Sequence, residues 1–186
     1  KNGILTVKKS PFPSKRRSEA METVTLKTPL SKADISDLKP GMKVYLTGYI
    51  YMARDAAHKR MIESLKKGEP LPFDVKDQVI YYAGPCPNKP GQIIGSCGPT
   101  TSCRMDAYAP YLLDLGLSAM IGKGERSDEV VASIHKNGAT YLGATGGAGA
   151  LLAKCIQSQE IIAYEDLGAE ALRKLYVEDF PAIVLI

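Results

Sequence analysis

Long apolar runs are missing from this chain of 186 residues; none approaches the roughly 20 residues that a membrane-spanning helix requires. The N-terminus is basic but lacks the continuous apolar stretch of a secretory signal, so a cytoplasmic protein is the expectation. Histidine occurs only at His58 and His135, which form no H-x-x-x-H pair. The cysteines Cys86, Cys97, Cys103 and Cys155 are separated by 11, 6 and 52 residues, so there is no C-x-x-C pair either. These spacings argue against a self-contained metal site. Without a secretory signal, the thiols are expected to be free or engaged with a metal rather than bridged. The P-loop pattern G-x-x-x-x-G-K-[ST] is absent as well. The run Gly143-Ala144-Thr145-Gly146-Gly147-Ala148-Gly149 fails the dinucleotide fingerprint, because Leu152 stands where G-x-G-x-x-G needs a small residue.

Positive charge is confined to one end. Residues 1–20 place Lys1, Lys8, Lys9, Lys15, Arg16 and Arg17 against Glu19 alone, a net +5; the whole chain carries +4, so the remainder carries −1. The stretch Ser10-Pro11-Phe12-Pro13-Ser14-Lys15-Arg16-Arg17-Ser18 reads as part of a flexible basic leader over residues 1–20, with Met21 a candidate natural start. A nucleic-acid surface is more often a basic stripe on the folded domain, so no nucleic-acid partner is expected. The remaining chain, residues 21–186, reads as a single domain long enough to bury a core.

What is present is an alternation of strands and helices. Lys43–Tyr51 is β-branched and aromatic after the turn Pro40-Gly41, and predicts a strand. Ala57, Met61, Ile62 and Leu65 recur at helical spacing over Ala53–Lys67, with Gly68 as a stop. Val79–Ala83 predicts a strand, and Ile93-Ile94 a short one. A helix is expected from about Met105 to Leu115, a strand at Ser118–Ile121, a helix at Ser127–Lys136 and a strand at Ala139–Leu142. The glycine run then leads into a helix through Cys155. A strand near Ile161–Ala163, a helix near Glu170–Leu175 and a strand at Ala182–Ile186 complete the chain. This order predicts an α/β fold whose second half forms a parallel sheet. The Tyr- and Thr-rich first half is expected to form a second, partly antiparallel sheet.

Four segments carry chemistry. Gly98-Pro99-Thr100-Thr101-Ser102-Cys103-Arg104-Met105-Asp106 joins a tight turn to a helix start. The hydroxyls either cap that helix or leave backbone N–H groups free for an anion, with Arg104 offering a planar fork to a carboxylate. Arg54-Asp55-Ala56-Ala57-His58 opens a helix directly after a strand, with Arg54 and His58 four residues apart on one face. They are either a surface pair or part of a ligand site at a strand end. Gly122-Lys123-Gly124 sets a lysine between two residues without side chains, which permits close approach to its ammonium. It reads equally as an ordinary turn. The glycine run suits close backbone packing or a carboxylate contact better than a nucleotide. Together these groups suit a small substrate with two carboxylates.

In this order the segments resemble the C-terminal catalytic region of class I, iron–sulfur fumarate hydratases and the β subunit of two-subunit fumarases and L-tartrate dehydratases. The matching pieces are Arg54-Asp55-Ala56-Ala57-His58-Lys59, Gly84-Pro85, Gly98-Pro99-Thr100-Thr101 with Arg104-Met105-Asp106, Gly122-Lys123-Gly124 and Gly143–Gly149. The resemblance covers nearly everything from Met21 to Ile186. It implies a three-layer β/β/α swivelling domain and reversible hydration of fumarate to L-malate. It also implies a four-iron, four-sulfur cluster acting as Lewis acid, held by three cysteines of an α subunit, so that this chain is inactive alone and works within a higher oligomer. By the same resemblance Arg54 and Arg104 clamp the substrate carboxylates and Lys123 makes a further contact. Thr100 is the candidate base and Thr101 a positioning group, with His58, Asp55 and Asp106 in support and no metal ligand in this chain. Cys103 stands where the family usually has a small residue such as glycine. Two alternatives share these residues: a hydro-lyase for tartrate or a related diacid, and a non-catalytic binding or redox module using Cys86, Cys97 and Cys103.

Overall fold

The computed structural model describes residues 22–145 and 147–186; the expected leader, Met21 and Gly146 lie outside the described residues. Seven strands form one connected sheet. In chain order they are β1 (Thr23–Lys27), β2 (Lys43–Met52), β3 (Val79–Tyr81), β4 (Ala119–Gly122), β5 (Thr140–Gly143), β6 (Ile156–Ala163) and β7 (Leu172–Val184). The helices are α1 (Lys32–Ile35), α2 (Asp55–Lys66), α3 (Ala109–Asp114), α4 (Asp128–Asn137) and α5 (Gly149–Lys154), with 3-10 turns at Ser102–Met105 and Glu165–Glu170. No helix among the described residues is long and apolar enough to cross a membrane.

The strands β1 to β5 pair in parallel with their sequence neighbours. β7 runs antiparallel to β2, β5 and β6. Its pairing with both β2 and β5 closes the circuit β2–β3–β4–β5–β7 into a ring. The expected second sheet is therefore continuous with the first. Antiparallel pairing comes from the end of the chain folding back on β2, not from the first half alone.

Alternation along β3, β4 and β5 divides the core in two. Tyr81, Ile121 and Leu142 turn to one side, with Val44, Leu46, Ile50, Val177 and Phe180. Ile80, Tyr82, Met120 and Tyr141 turn to the other, against Ala57, Met61, Leu112, Val130 and Ile134 of the helices. Strands buried on both faces need apolar residues at successive positions, which is what these short segments supply. The helix ends follow local rules: Ser127 accepts a hydrogen bond from Val130 N, and α4 stops at Gly138 in the left-handed conformation.

Three expected elements differ. The helix placed near Glu170–Leu175 is the start of β7. Leu172, Leu175 and Tyr176 have the i, i+3, i+4 spacing of a helix face, but Leu172 enters the helix-side core and Leu175 the other, so a strand with apolar residues on both faces mimics that spacing. Register shifts interrupt β7 against both β6 and β2, and Asp179 has a positive φ of 47°. The irregularity in β7 itself falls between Val177 and Phe180, beyond Glu170–Leu175, and there it shifts the two-residue period. The helix expected from Met105 to Leu115 is split into the Ser102–Met105 turn and α3. Pro110 lies in the first turn of α3, and a helix continued back through it would clash with the carbonyl four residues earlier. Ile93-Ile94 is not a strand. Asn88 donates to the Ile93 carbonyl at 3.0 Å and accepts from Gly95 N at 2.9 Å, so this backbone is held by a side chain instead of a ladder.

Candidate active site

The singled-out segments lie at the carboxyl ends of neighbouring parallel strands. Arg54 follows β2, Lys123 follows β4, and Thr100 donates its N–H to the carbonyl of Tyr82, just past β3, at 2.7 Å. Such edges collect ligand groups, because each strand hands its following loop to the same side of the sheet.

Arg54, Asp55 and Arg104 form one cluster. Asp55 Oδ2 accepts from Arg54 Nε at 3.2 Å and also from Nη2 of Arg104, 49 positions further along, and so joins the two guanidinium groups. Burial pushes the Asp55 carboxyl up, but bonds from Arg104, its own backbone and Arg54 outweigh that and hold it below its usual range. Glu170 completes the cluster, with Oε1 3.4 Å from Arg54 Nη2 and Oε2 accepting Ala56 N at 2.9 Å. It thereby serves an otherwise unpaired donor in the first turn of α2. Gly84 lines the same guanidinium: a Cβ there would lie 3.0 Å from the Ala169 carbonyl and 3.1 Å from Arg54 Cδ.

Thr100, Thr101 and Lys123 are joined through the backbone. Thr101 forms a parallel bridge with Lys123. Ser102 N donates to Lys123 O at 2.9 Å, and Ser102 Oγ accepts from Lys123 N at 3.1 Å. The N–H groups of Thr100 and Ser102 are therefore engaged, and Thr101 makes no side-chain cap. The segment is a stitched loop rather than a free anion-binding helix start. The Tyr141 hydroxyl lies 2.9 Å from Ser102 Oγ and 2.8 Å from the Gly124 carbonyl. With one proton each, Ser102 donates to Tyr141 and Tyr141 to Gly124, a chain that satisfies both groups. Gly122 has no room for a side chain, since a Cβ would overlap Ser102 Oγ. The side chains of Thr101, Arg104 and Lys123 are exposed and Thr100 is half-buried, so the hydroxyls, the fork and the ammonium lie on an open face.

His58 and Asp106 are placed elsewhere. His58 is fully buried, its Nδ1 3.0 Å from the Arg54 carbonyl and its ring edge-on to Tyr82. Nδ1 must carry the proton to donate there, while Nε2 has no hydrogen-bond partner among the described residues. Burial pushes its pKa down to about 4, so the ring is neutral and braces the first turn of α2 from behind. Asp106 turns to Arg126, whose Nε donates to Oδ1 at 2.7 Å. Cys103 is exposed beside Arg104. Gly149, at the end of the glycine run, packs on the Gly98 turn, with its carbonyl accepting Cys97 N at 3.0 Å, a close backbone contact of the kind anticipated.

Glu170, Arg126 and Tyr141 escaped the sequence reading, and Ser102 entered it only as a possible helix cap. Arg126 stands two residues after Gly124 and could have been found as an extension of that motif. Glu170 carried no local signal, because its partners are more than a hundred positions away. Among the described residues no group of three or more His, Cys, Asp or Glu is placed to hold a metal ion.

Guanidinium groups, hydroxyls and an ammonium thus stand together at the parallel strand ends of an α/β protein. The chain belongs to the family described as Fumarase C-terminus, which matches residues 5–186. It is 43% identical over 167 residues to a class I, anaerobic fumarate hydratase of Escherichia coli strain K12, covering 88% of this chain and 30% of the relative. It is 40% identical over 179 residues to fumarate hydratase 2 of Leishmania major, covering 94% and 32%. A candidate L(+)-tartrate dehydratase subunit beta of Methanocaldococcus jannaschii is 40% identical over 161 residues, covering 84% of this chain and 83% of that subunit. The chain thus spans less than a third of the E. coli enzyme's length but most of the β subunit.

Proposed function

We propose that this chain is the β-subunit half of an iron–sulfur-dependent hydro-lyase, and that the assembled enzyme hydrates fumarate reversibly to L-malate. The observation that carries the reading is the junction of Arg54 and Arg104 on Asp55, beside the Thr101–Lys123 bridge. Two guanidinium groups fixed at neighbouring strand ends can each take a carboxylate in a bidentate grip, which orients the double bond between them. In the resting chain Asp55 and Glu170 hold the place of those carboxylates. Lys123 adds charge at the same edge. Thr100 is the candidate proton acceptor and Thr101 a positioning hydroxyl; because a threonine hydroxyl is a weak base, that role requires a neighbouring group supplied in the assembly.

Among the described residues no group of cysteines is gathered to hold a cluster. Cys97 is buried with Sγ 3.3 Å from Met52 Sδ, and burial pushes its thiol up to about 12, which suits a packed side chain rather than a thiolate ligand. That weighs equally against a redox module built on Cys86, Cys97 and Cys103. We assign the cluster to an α-type partner, in keeping with the name of the tartrate dehydratase relative, and place the enzyme in the cytoplasm as a higher oligomer. The ring of strands with a core on each side supports the three-layer β/β/α swivelling reading for residues 21–186, with residues 1–20 as a leader.

The test is a panel of fumarate, L-malate, tartrate and methylated fumarate offered to the chain assembled with its partner. Turnover of fumarate is expected. Activity confined to tartrate would reject the fumarase assignment and favour the second reading, which the β-subunit relative supports.

A further inference from the structure

Arg126 is a cation with no route to a ligand: its side chain is 0% exposed. Its Nε donates to Asp106 Oδ1 at 2.7 Å, and Asp106 Oδ2 accepts Ser127 N, also at 2.7 Å. Both carboxylate oxygens of Asp106 are thus spent on the segment that follows β4. Asp106 itself ends the Ser102–Met105 turn that carries Arg104. The guanidinium is packed on the rings of Tyr82 and Tyr141, 5.4 and 5.0 Å from their centroids. Tyr141 is the side chain whose hydroxyl reaches Ser102 and Gly124.

A buried ion pair is weak evidence for stability, since apolar residues of similar volume often serve as well. What it does provide is one defined arrangement, because an unpaired buried charge penalises every other packing. Here the pair joins the two segments that bear Arg104 and Lys123. We propose that Arg126 is a positioning residue: through Asp106 it sets the Arg104 turn in register with the Lys123 loop. The inference rests on the reading that these two cations receive the diacid.

The test compares Arg126→Met, and the double variant Asp106→Asn with Arg126→Met, against the parent chain in the assembled enzyme. The double variant leaves no orphan charge, so it is read wherever the single one does not fold. A loosened register displaces a cation by about 1 Å, and kcat/KM for the diacid is expected to fall about 10²-fold. KM is expected to rise, which mere loss of folded protein does not produce. Amide exchange at Ser102 and Lys123 is expected to quicken at least about tenfold while β3 and β4 keep their protection. Unchanged exchange at those two amides in a folded variant overturns the proposal, as does an unchanged KM. A double variant that does not fold also overturns it, because the pair would then serve the fold as a whole. If the parent enzyme turns over no diacid, the functional reading fails, while the exchange measurement still decides the tether.

Discussion

Acid is expected to weaken this protein through His58 before it reaches the carboxylates. The ring is fully buried, Nδ1–H is committed to the Arg54 carbonyl, and a second proton would sit on Nε2 with no acceptor among the described residues. Burial is the main cause that lowers its pKa from 6.5 to about 4. Between those values the unfolded chain binds a proton that the folded chain refuses, so stability falls as pH falls. A tenfold change in protonation is worth about 1.4 kcal/mol, and the interval therefore amounts to about 3 kcal/mol, a large share of the ~5–15 kcal/mol that stabilises a typical domain. Asp55 acts lower on the scale. Its depressed pKa contributes stability that is present above its ordinary value of 3.8 and is lost only below it. The assay is denaturant unfolding of the parent and of His58→Asn between pH 6.5 and about 4. Asparagine can present an N–H near the Nδ1 position but does not titrate. The variant is expected to be less stable at neutral pH, from lost packing against Tyr82, yet nearly flat across the interval. An equal slope in both proteins would refute the buried, neutral histidine.

Two further outcomes bear on the cations. Arg104→Lys in the assembled enzyme keeps the charge and loses the planar fork, and is expected to lower kcat/KM by at least about 10²-fold in steady-state assays. Near-parental turnover would remove Arg104 from the site. Gly84→Ala places a Cβ 3.1 Å from Arg54 Cδ and 3.2 Å from Nη1, so it is expected to shift that guanidinium and raise KM about tenfold with the fold intact. An unchanged KM would separate Arg54 from substrate binding.

Much of the local structure was legible because its causes are local. β2, α2, β4, α4 and β5 follow from runs of apolar residues with clear stops, such as Ser127 before α4 and Gly138 after it. The strand-end placement of Arg54, Gly84 and Lys123 was legible for the same reason, since each directly follows such a run. The start of β7 was not, because Leu172 and Leu175 fill cores on opposite faces and so give a strand the spacing of a helix.

The amino-acid sequence by itself determined which chemically capable side chains stand at the ends of strands, because residue type and hydrophobic period are local properties. Only the tertiary structure decided which of them meet. The Arg54–Asp55–Arg104 cluster, the service of Glu170 to α2, the burial of His58 and the Arg126–Asp106 pair all join distant segments or depend on what packs over them. Nothing in a residue's own neighbourhood specifies a partner brought to it by strand pairing. The physical reason is that parallel pairing of β2, β3 and β4 brings their following loops side by side, and such pairing joins residues far apart in the chain.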